Sequence, residues 1–213
     1  MKETYHITRY CIIRNNQVRL NGELLFESRE MSPSAMLTSV YRHFDIPYAK
    51  FFKMDNLCKL GFLACEILLR GRDLGQDYQA GDVGIILSNA SSSIDADRIH
   101  QQSIANQDSY FPSPSLFVYT LANIVIGEIC IRHKLQGEGM FFIEDAFNPD
   151  ILYNSVQQVL DESVARSCIT GWVEVNGSEY EAVLYFIEKQ ASHKSGIAIF
   201  DAVNLLNLYQ QTD

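Results

Sequence analysis

Gly139-Met140-Phe141-Phe142-Ile143-Glu144-Asp145-Ala146-Phe147-Asn148-Pro149 carries a strand and the start of a helix in one short stretch. Its first five residues have no polar side chain, as in a strand covered on both faces of a sheet. Asn148-Pro149 then reads as a helix N-cap followed by proline at the first helical position. A second run of the same kind is Asp82-Val83-Gly84-Ile85-Ile86-Leu87-Ser88. Helical patterns precede both runs. Asp55 can cap a helix with Leu57, Leu60, Gly61, Ala64, Ile67 and Leu68 on one face, ending near Gly71. Thr120 to Leu135 is apolar at helical spacing and is closed by Gly137. Strands that alternate with helices in this way indicate a sheet covered by helices.

Working outward, Tyr5 to Phe26 holds two β-rich runs around Asn15-Asn16 and Asn21-Gly22, which reads as a hairpin or meander. Met31 to Lys53 contains Pro33, Pro47 and five aromatics, and is read as irregular structure over the core. Ser93 is the expected cap of a helix reaching roughly Gln107, and Phe111-Pro112-Ser113-Pro114-Ser115 is read as an extended loop. The helix after Asn148 should run to about Arg166. Cys168–Val175 and Glu179–Glu188 flank Asn176-Gly177, a strong hairpin signal. A last strand is expected within Gly196–Leu206. The sum is an α/β chain with a mixed sheet flanked by helices, forming one domain over residues 1–213.

Composition limits the function classes. The 213 residues include 47% apolar and 20% charged side chains, normal for a folded chain. With 26 acidic against 17 basic residues and a net charge of -9, the chain lacks the basic footprint of a nucleic-acid or anionic-membrane binder. Met1–His6 is polar, and no apolar run approaches the roughly 18 residues of a spanning helix. A soluble, cytoplasmic protein is expected. Cys11, Cys58, Cys65, Cys130 and Cys168 are odd in number and scattered, as reduced core thiols would be. No Cys-x-x-Cys or His-x-x-x-His spacing and no glycine-rich phosphate loop occurs, so neither a metal nor a cofactor is expected. His6, His43, His100, His133 and His193 fit no catalytic motif. Asp95 and Asp97 resemble a paired-carboxylate site, but are read instead as a charged first helical turn favoured by the helix dipole. Glu144 and Asp145 end the buried strand just before a helix and are candidate bases.

Several pieces resemble, in order and spacing, the N-terminal half of a β-ketoacyl synthase of the thiolase fold. They are the Met54–Leu69 helix with the Asp82–Ser88 strand after it, then Phe111-Pro112-Ser113-Pro114 leading to Asn123-Ile124-Val125-Ile126-Gly127-Glu128. Ile131-Arg132-His133-Lys134-Leu135-Gln136-Gly137 is similar to the family's isoleucine-arginine-x-x-leucine-x-glycine. Gly171-Trp172-Val173-Glu174 is similar to its glycine-glycine-x-glutamate, and Glu181–Glu188 to the strand that follows. The resemblance implies a mixed five-stranded sheet flanked by helices.

In that family the strand after this glycine delivers a cysteine to a helix N-terminus, where the helix dipole favours thiolate. The corresponding position here is Ala146, and Glu144 to Pro149 contains no cysteine or serine. The histidines of the family's second half also have no counterpart. The resemblance therefore implies a chain that is no ketosynthase by itself. A first expectation is a non-catalytic, chain-length-factor-like subunit that pairs with a full-length ketosynthase, or with itself, in fatty acid, polyketide or aryl polyene synthesis. It would pair through Met140, Phe141, Phe142 and Ile143, with Phe117, Tyr119, Asn123 and Phe147 near the acyl pocket or dimer axis. Two alternatives stay open. One is an enzyme of altered chemistry using Glu144 or Asp145, with His133 or a bound partner's groups, on an acyl thioester. The other is a stand-alone module for an acyl chain or acyl carrier protein, with Arg9, Arg14 and Arg19 as a local basic face.

Overall fold

Asn15 and Asn16 take φ of 51° and 60°, and Asn21 and Gly22 take 53° and 87°, so two tight turns fold the N-terminal segment into a meander. Its strands are β1 (Tyr5–Arg14), β2 (Gln17–Leu20) and β3 (Glu23–Glu27). The structure is a computed structural model describing residues 4–29, 32–105, 113–189 and 196–211. Gln107, Phe111, Pro112 and His193 lie outside the described residues.

Two helices follow the N-cap logic of the sequence. Asp55 accepts from Cys58 N at 2.9 Å and starts α2 (Asn56–Leu68), after α1 (Pro33–His43). Asn148 Oδ1 accepts from Ile151 N and starts α7 (Pro149–Asp161). The intervening elements are α3 (Leu74–Asp77), β4 (Val83–Asn89), α4 (Ile94–Ile104), α5 (Pro114–Val118), α6 (Ile124–His133) and β5 (Gly139–Ile143). The chain continues through β6 (Ser167–Asn176), β7 (Glu179–Lys189), β8 (Ala198–Ile199) and α8 (Ala202–Tyr209).

The sheet runs β3-β2-β1-β7-β6-β4-β5, with β8 against β1. β4 is parallel to β5 and β6, whereas β6–β7 and β7–β1 are antiparallel, so the expected mixed sheet is present. It has eight strands rather than five. Strands β1, β7, β6, β4 and β5 form its centre and one edge, while β2, β3 and β8 extend it beyond β1. One face is covered by α1, α2 and α6, whose Met36, Leu60, Leu63, Val125 and Ile129 are fully buried. The other face is covered by α7 and α8 through Leu152, Val156, Leu205 and Leu208. Exposed Asp150, Asn154, Gln158 and Asp161 give α7 a polar outward face.

Several boundaries differ from expectation. Met31 lies outside the described residues, and the segment from Ser32 to Lys53 is not irregular: Ser32 accepts from Ala35 N and Pro33 begins α1, and Ala49–Lys53 forms a 3₁₀ turn. Ser113-Pro114 likewise starts α5 instead of an extended loop. A proline that breaks a helix interior fits the first helical position, where its missing N–H has no partner to lose. The α6 helix closes on Lys134 in the left-handed conformation, φ 57°, three residues before Gly137. The α7 helix ends at Asp161, short of Arg166. The β6–β7 turn consists of Gly177 and Ser178, one residue later than expected, with positive φ at Gly177. Gly196–Leu206 holds the expected last strand only as the two-residue β8, and turns helical from Ala202 because Asp201 accepts from Asn204 N and caps α8.

At the N-terminal rim of the sheet, Glu188 accepts bonds from Arg72 Nη1 at 2.8 Å, Tyr78 Oη at 2.6 Å and the Thr8 hydroxyl. Burial would raise its carboxyl, but these donors hold it below the usual glutamate range. Glu66 is held low in the same way, against its own burial, by His133 and Arg132. Both carboxylates therefore stabilise the fold fully above the ordinary glutamate range, and that stability is lost as pH falls through it toward the lowered native values. Glu188→Gln is expected to cost about 1.5–3 kcal/mol near neutral pH. Urea unfolding of both proteins should show the difference shrinking under acid; a constant difference would contradict this origin.

Candidate functional site

The strand ends at β4, β5 and β6 form the rim where the sequence analysis places Ala146. The Asn89 side chain bonds Ser92 N and O at 3.1 and 2.8 Å, and the Asn89 backbone carbonyl accepts from Glu144 N at 2.9 Å. Glu144 in turn accepts from Asn148 Nδ2 at 3.0 Å, and Asn148 caps α7. Glu144 is thereby tied to the helix start it precedes. Asp145 and Ala146 are exposed at the tip of this turn. Alanine has no group that attacks a thioester, so the α7 N-terminus presents no nucleophile at this position.

Phe147 turns inward. Its ring stacks on Tyr209 of α8 at 4.1 Å and 7°, and meets Trp172 edge-on at 6.4 Å and 87°. Trp172 is 3% exposed and stands where the resembled pattern carries its second glycine. An indole where a glycine would leave space fills the region behind Ala146. No sequence signal joins Phe147, Trp172 and Tyr209, which come from three distant segments.

His133 is elsewhere. Its Nε2 lies 3.0 Å from Glu66 Oε1, and Arg132 bonds the same carboxylate at 2.8 and 3.0 Å. It ends α6 beside Gln136, whose N–H donates to Ala80 O ahead of β4, whereas Glu144 follows β5. The two residues thus sit at opposite ends of the parallel strands, and the structure does not bring His133 to Glu144 or Asp145. His133 instead lines a cleft of about 460 Å³ with Phe44, Pro47, Arg70 and Arg132. α1, α2 and α6 all end around it, and Arg132 and His133 stand in the last turn of α6, where a helix C-terminus favours positive charge.

Asp95 and Asp97 are structural. Asp95 accepts from Gly177 N at 2.9 Å and pairs with Arg98 at 3.0 Å, and Asp97 accepts from the Ser93 hydroxyl. Arg9, Arg14 and Arg19 do not meet: Arg9 donates to Arg70 O beyond α2, Arg14 to Tyr209 O beside α8, and Arg19 to Gln17 and Gly22 in the meander.

The residues expected at a pocket or interface divide by exposure. Tyr119 is buried and donates to Glu128 at 3.2 Å, and Glu128 also pairs with Lys50 at 2.7 Å. Burial, then Glu128, push the Tyr119 hydroxyl up. Phe117 is 58% exposed, next to exposed Val118 and Leu121 and packed on His100. Asn123 is exposed ahead of α6. β5 is an edge strand bonded only to β4 among the described residues. Met140 and Phe142 pack partly against the α7 side and Phe141 against the α2 side, while Ile143 is 51% exposed.

No family model and no curated protein matches the chain. Solved structures do. The ishigamide ketosynthase/chain length factor matches with TM-score 0.68 at 14% identity over 92% of this chain and 65% of its own. A ketosynthase (ApeO) in complex with its chain length factor (ApeC) from Xenorhabdus doucetiae matches with TM-score 0.52 at 13% identity, over 89% of this chain and 80% of that one. The type II polyketide synthase complex AntDE:AntF, an acyl-carrier protein with its ketosynthase bound to the hexaketide, matches with TM-score 0.60 at 13% identity, over 89% and 64%. The chain has the ketosynthase-like thiolase fold and spans 65% and 64% of the first and third of these proteins. No helix among the described residues is long and apolar enough to cross a membrane.

Proposed function

We propose that this chain is a non-catalytic, chain-length-factor-like subunit that pairs with a full-length ketosynthase in polyketide, aryl polyene or fatty acid synthesis. The observation that carries the reading is β5, an apolar edge strand with no partner beyond β4 among the described residues. Such an edge needs a cover, and a second strand added to it extends the sheet across a two-chain interface. Ala146, with Trp172 and Phe147 packed behind it, supports the non-catalytic part. Structures of ketosynthases with chain length factors share the fold, which supports the choice of partner. Of the aromatics expected to shape a partner's acyl pocket, Phe117 is the one open to a neighbour.

The reading with Glu144, Asp145 and His133 as an altered catalytic set has no geometric support, since His133 is held by Glu66. Docking of acyl carrier protein through Arg9, Arg14 and Arg19 likewise lacks a common face. The test is purification of the tagged chain from its native cell with intact mass of the complex. A ketosynthase in equal amount is expected, and a self-paired chain without one would overturn the proposal.

A further inference from the structure

Two features far apart in the sequence meet at the β6–β7 turn: the acidic first turn of α4 and the dipeptide Asn176-Gly177. Gly177 N–H donates to Asp95 Oδ2 at 2.9 Å. Arg98 Nη1 donates to Asn176 Oδ1 at 3.2 Å and to Asp95 Oδ1 at 3.0 Å. One carboxylate and one guanidinium of α4 thus hold the backbone nitrogen of Gly177 and the carboxamide of Asn176. With Arg98 55% exposed, this ion pair contributes little to stability. What it does is fix two atoms. Asn176 ends β6 opposite Glu179 and, like Gly177, is exposed to water.

The two held groups are the reactants of a self-modification. When the Gly177 nitrogen attacks the Asn176 side-chain carbonyl carbon, an N–C bond forms, the C–NH2 bond breaks, and ammonia leaves with the amide proton. Water then opens the succinimide at either carbonyl and gives aspartate or isoaspartate. Glycine, lacking a Cβ, leaves the approach to its nitrogen open. The five-membered ring also needs the Asn176 Cβ and the Gly177 nitrogen nearly eclipsed about the Cα–C bond, which extended backbone does not allow. Ring closure therefore requires Asn176 to leave its pairing with Glu179 and the bonds to Asp95 and Arg98 to break.

We propose that Asn176 is a self-modification site gated by α4. While Asp95 and Arg98 hold the turn, conversion is slow; when the first turn of α4 lifts, Asn176 converts to aspartate and isoaspartate with water as the co-reactant. Isoaspartate routes the chain through the side-chain carbon, which lengthens the backbone before Gly177 and sets a second carboxylate beside Asp95. Both changes oppose return of the Gly177 N–H to Asp95, so conversion leaves α4 released from the hairpin. The reaction belongs to the chain alone and does not rest on pairing with a ketosynthase.

The test incubates the full chain in warm, mildly alkaline buffer and follows Asn176 by peptide mass spectrometry with isoaspartate-specific fragmentation. Asp95→Ala is expected to convert Asn176 at least fivefold faster than the unaltered chain. Asp95→Asn keeps an acceptor and should fall between the two. Where Asp95→Ala does not fold, Arg98→Ala reads the same gate and should also convert faster. Asn21-Gly22 is the internal reference: Asn21 Oδ1 accepts from Tyr10 N at 2.9 Å in the meander, and its rate should not change in any variant. Equal acceleration at Asn21 and Asn176 would overturn the gate in favour of general loosening, and so would a rate at Asn176 indifferent to Asp95→Ala. Conversion adds one negative charge, so anion exchange separates the product. Hydrogen exchange in the first turn of α4 should be faster in that fraction than in the unconverted chain; equal exchange would overturn the release of α4.

Discussion

Gly171→Ala is expected to destabilise the chain by about 4 kcal/mol or more, at the exceptional end for one substitution, and to lower its melting temperature by about 10 °C. Gly171 has φ +150°, and a β-carbon there would lie 1.9 Å from Val183 O and 3.0 Å from Leu184 Cα. Both obstacles are backbone of β7, the neighbour of β6 at the centre of the sheet, so neither moves without opening the β6–β7 ladder. Strain at the residue and overlap across the ladder add. Gly127→Ala is the control: it lies in α6 with nothing within 4 Å of the added carbon. It should be neutral, or stabilising by up to about 1 kcal/mol through helix propensity. Urea unfolding of the two variants checks the contrast, and similar losses in both would show that the contact with β7 is not the cause.

Ile143→Pro is expected to weaken pairing with a partner chain on the order of a hundredfold, while changing the stability of the isolated chain by less than about 1 kcal/mol. Glu138 O accepts from Ile85 N, and Glu144 N donates to Asn89 O, so both face β4. Backbone groups alternate sides along a strand, which turns Gly139, Phe141 and Ile143 toward the open edge. Proline at position 143 removes an N–H from that edge and spares the ladder to β4. It also removes an apolar side chain that is half exposed. Ile143→Lys keeps the N–H but places a charge on the edge, and should weaken pairing in the same direction. Sedimentation of the purified complex with each variant reads the effect. Unchanged association in both would move the interface away from β5, toward the exposed Phe117 and Leu121.

What was legible in the sequence was local. The turns at Asn15-Asn16 and Asn21-Gly22, the caps at Asp55 and Asn148, and the buried β4 run are decided within a few residues, by positive φ, by a side chain reaching its own backbone, or by unbroken apolar character. The errors at Ser32-Pro33 and Ser113-Pro114 were also local. Both repeat the cap-then-proline signal of Asn148-Pro149, and both start helices. The turn shift at Gly177 has a different source: the pairing of Asn176 with Glu179 is set by the whole ladder, not by the dipeptide. The strand expected within Gly196–Leu206 is present only as β8, since the apolar residues from Ala202 on suit either structure and their burial against α7 decides for helix.

By itself the sequence determined that a strand leads to a capped helix at Asn148, that no nucleophile stands at Ala146, and that the sheet is mixed. Each follows from residue identity or short-range spacing. Only the tertiary structure decided that His133 lies at the far rim from Glu144, that β5 is an edge, and that Trp172, Phe147 and Tyr209 meet behind Ala146. Strand order and helix direction place residues far apart in the chain side by side, or neighbours in sequence at opposite ends of the sheet. No local preference encodes either outcome, because both depend on which apolar faces bury one another.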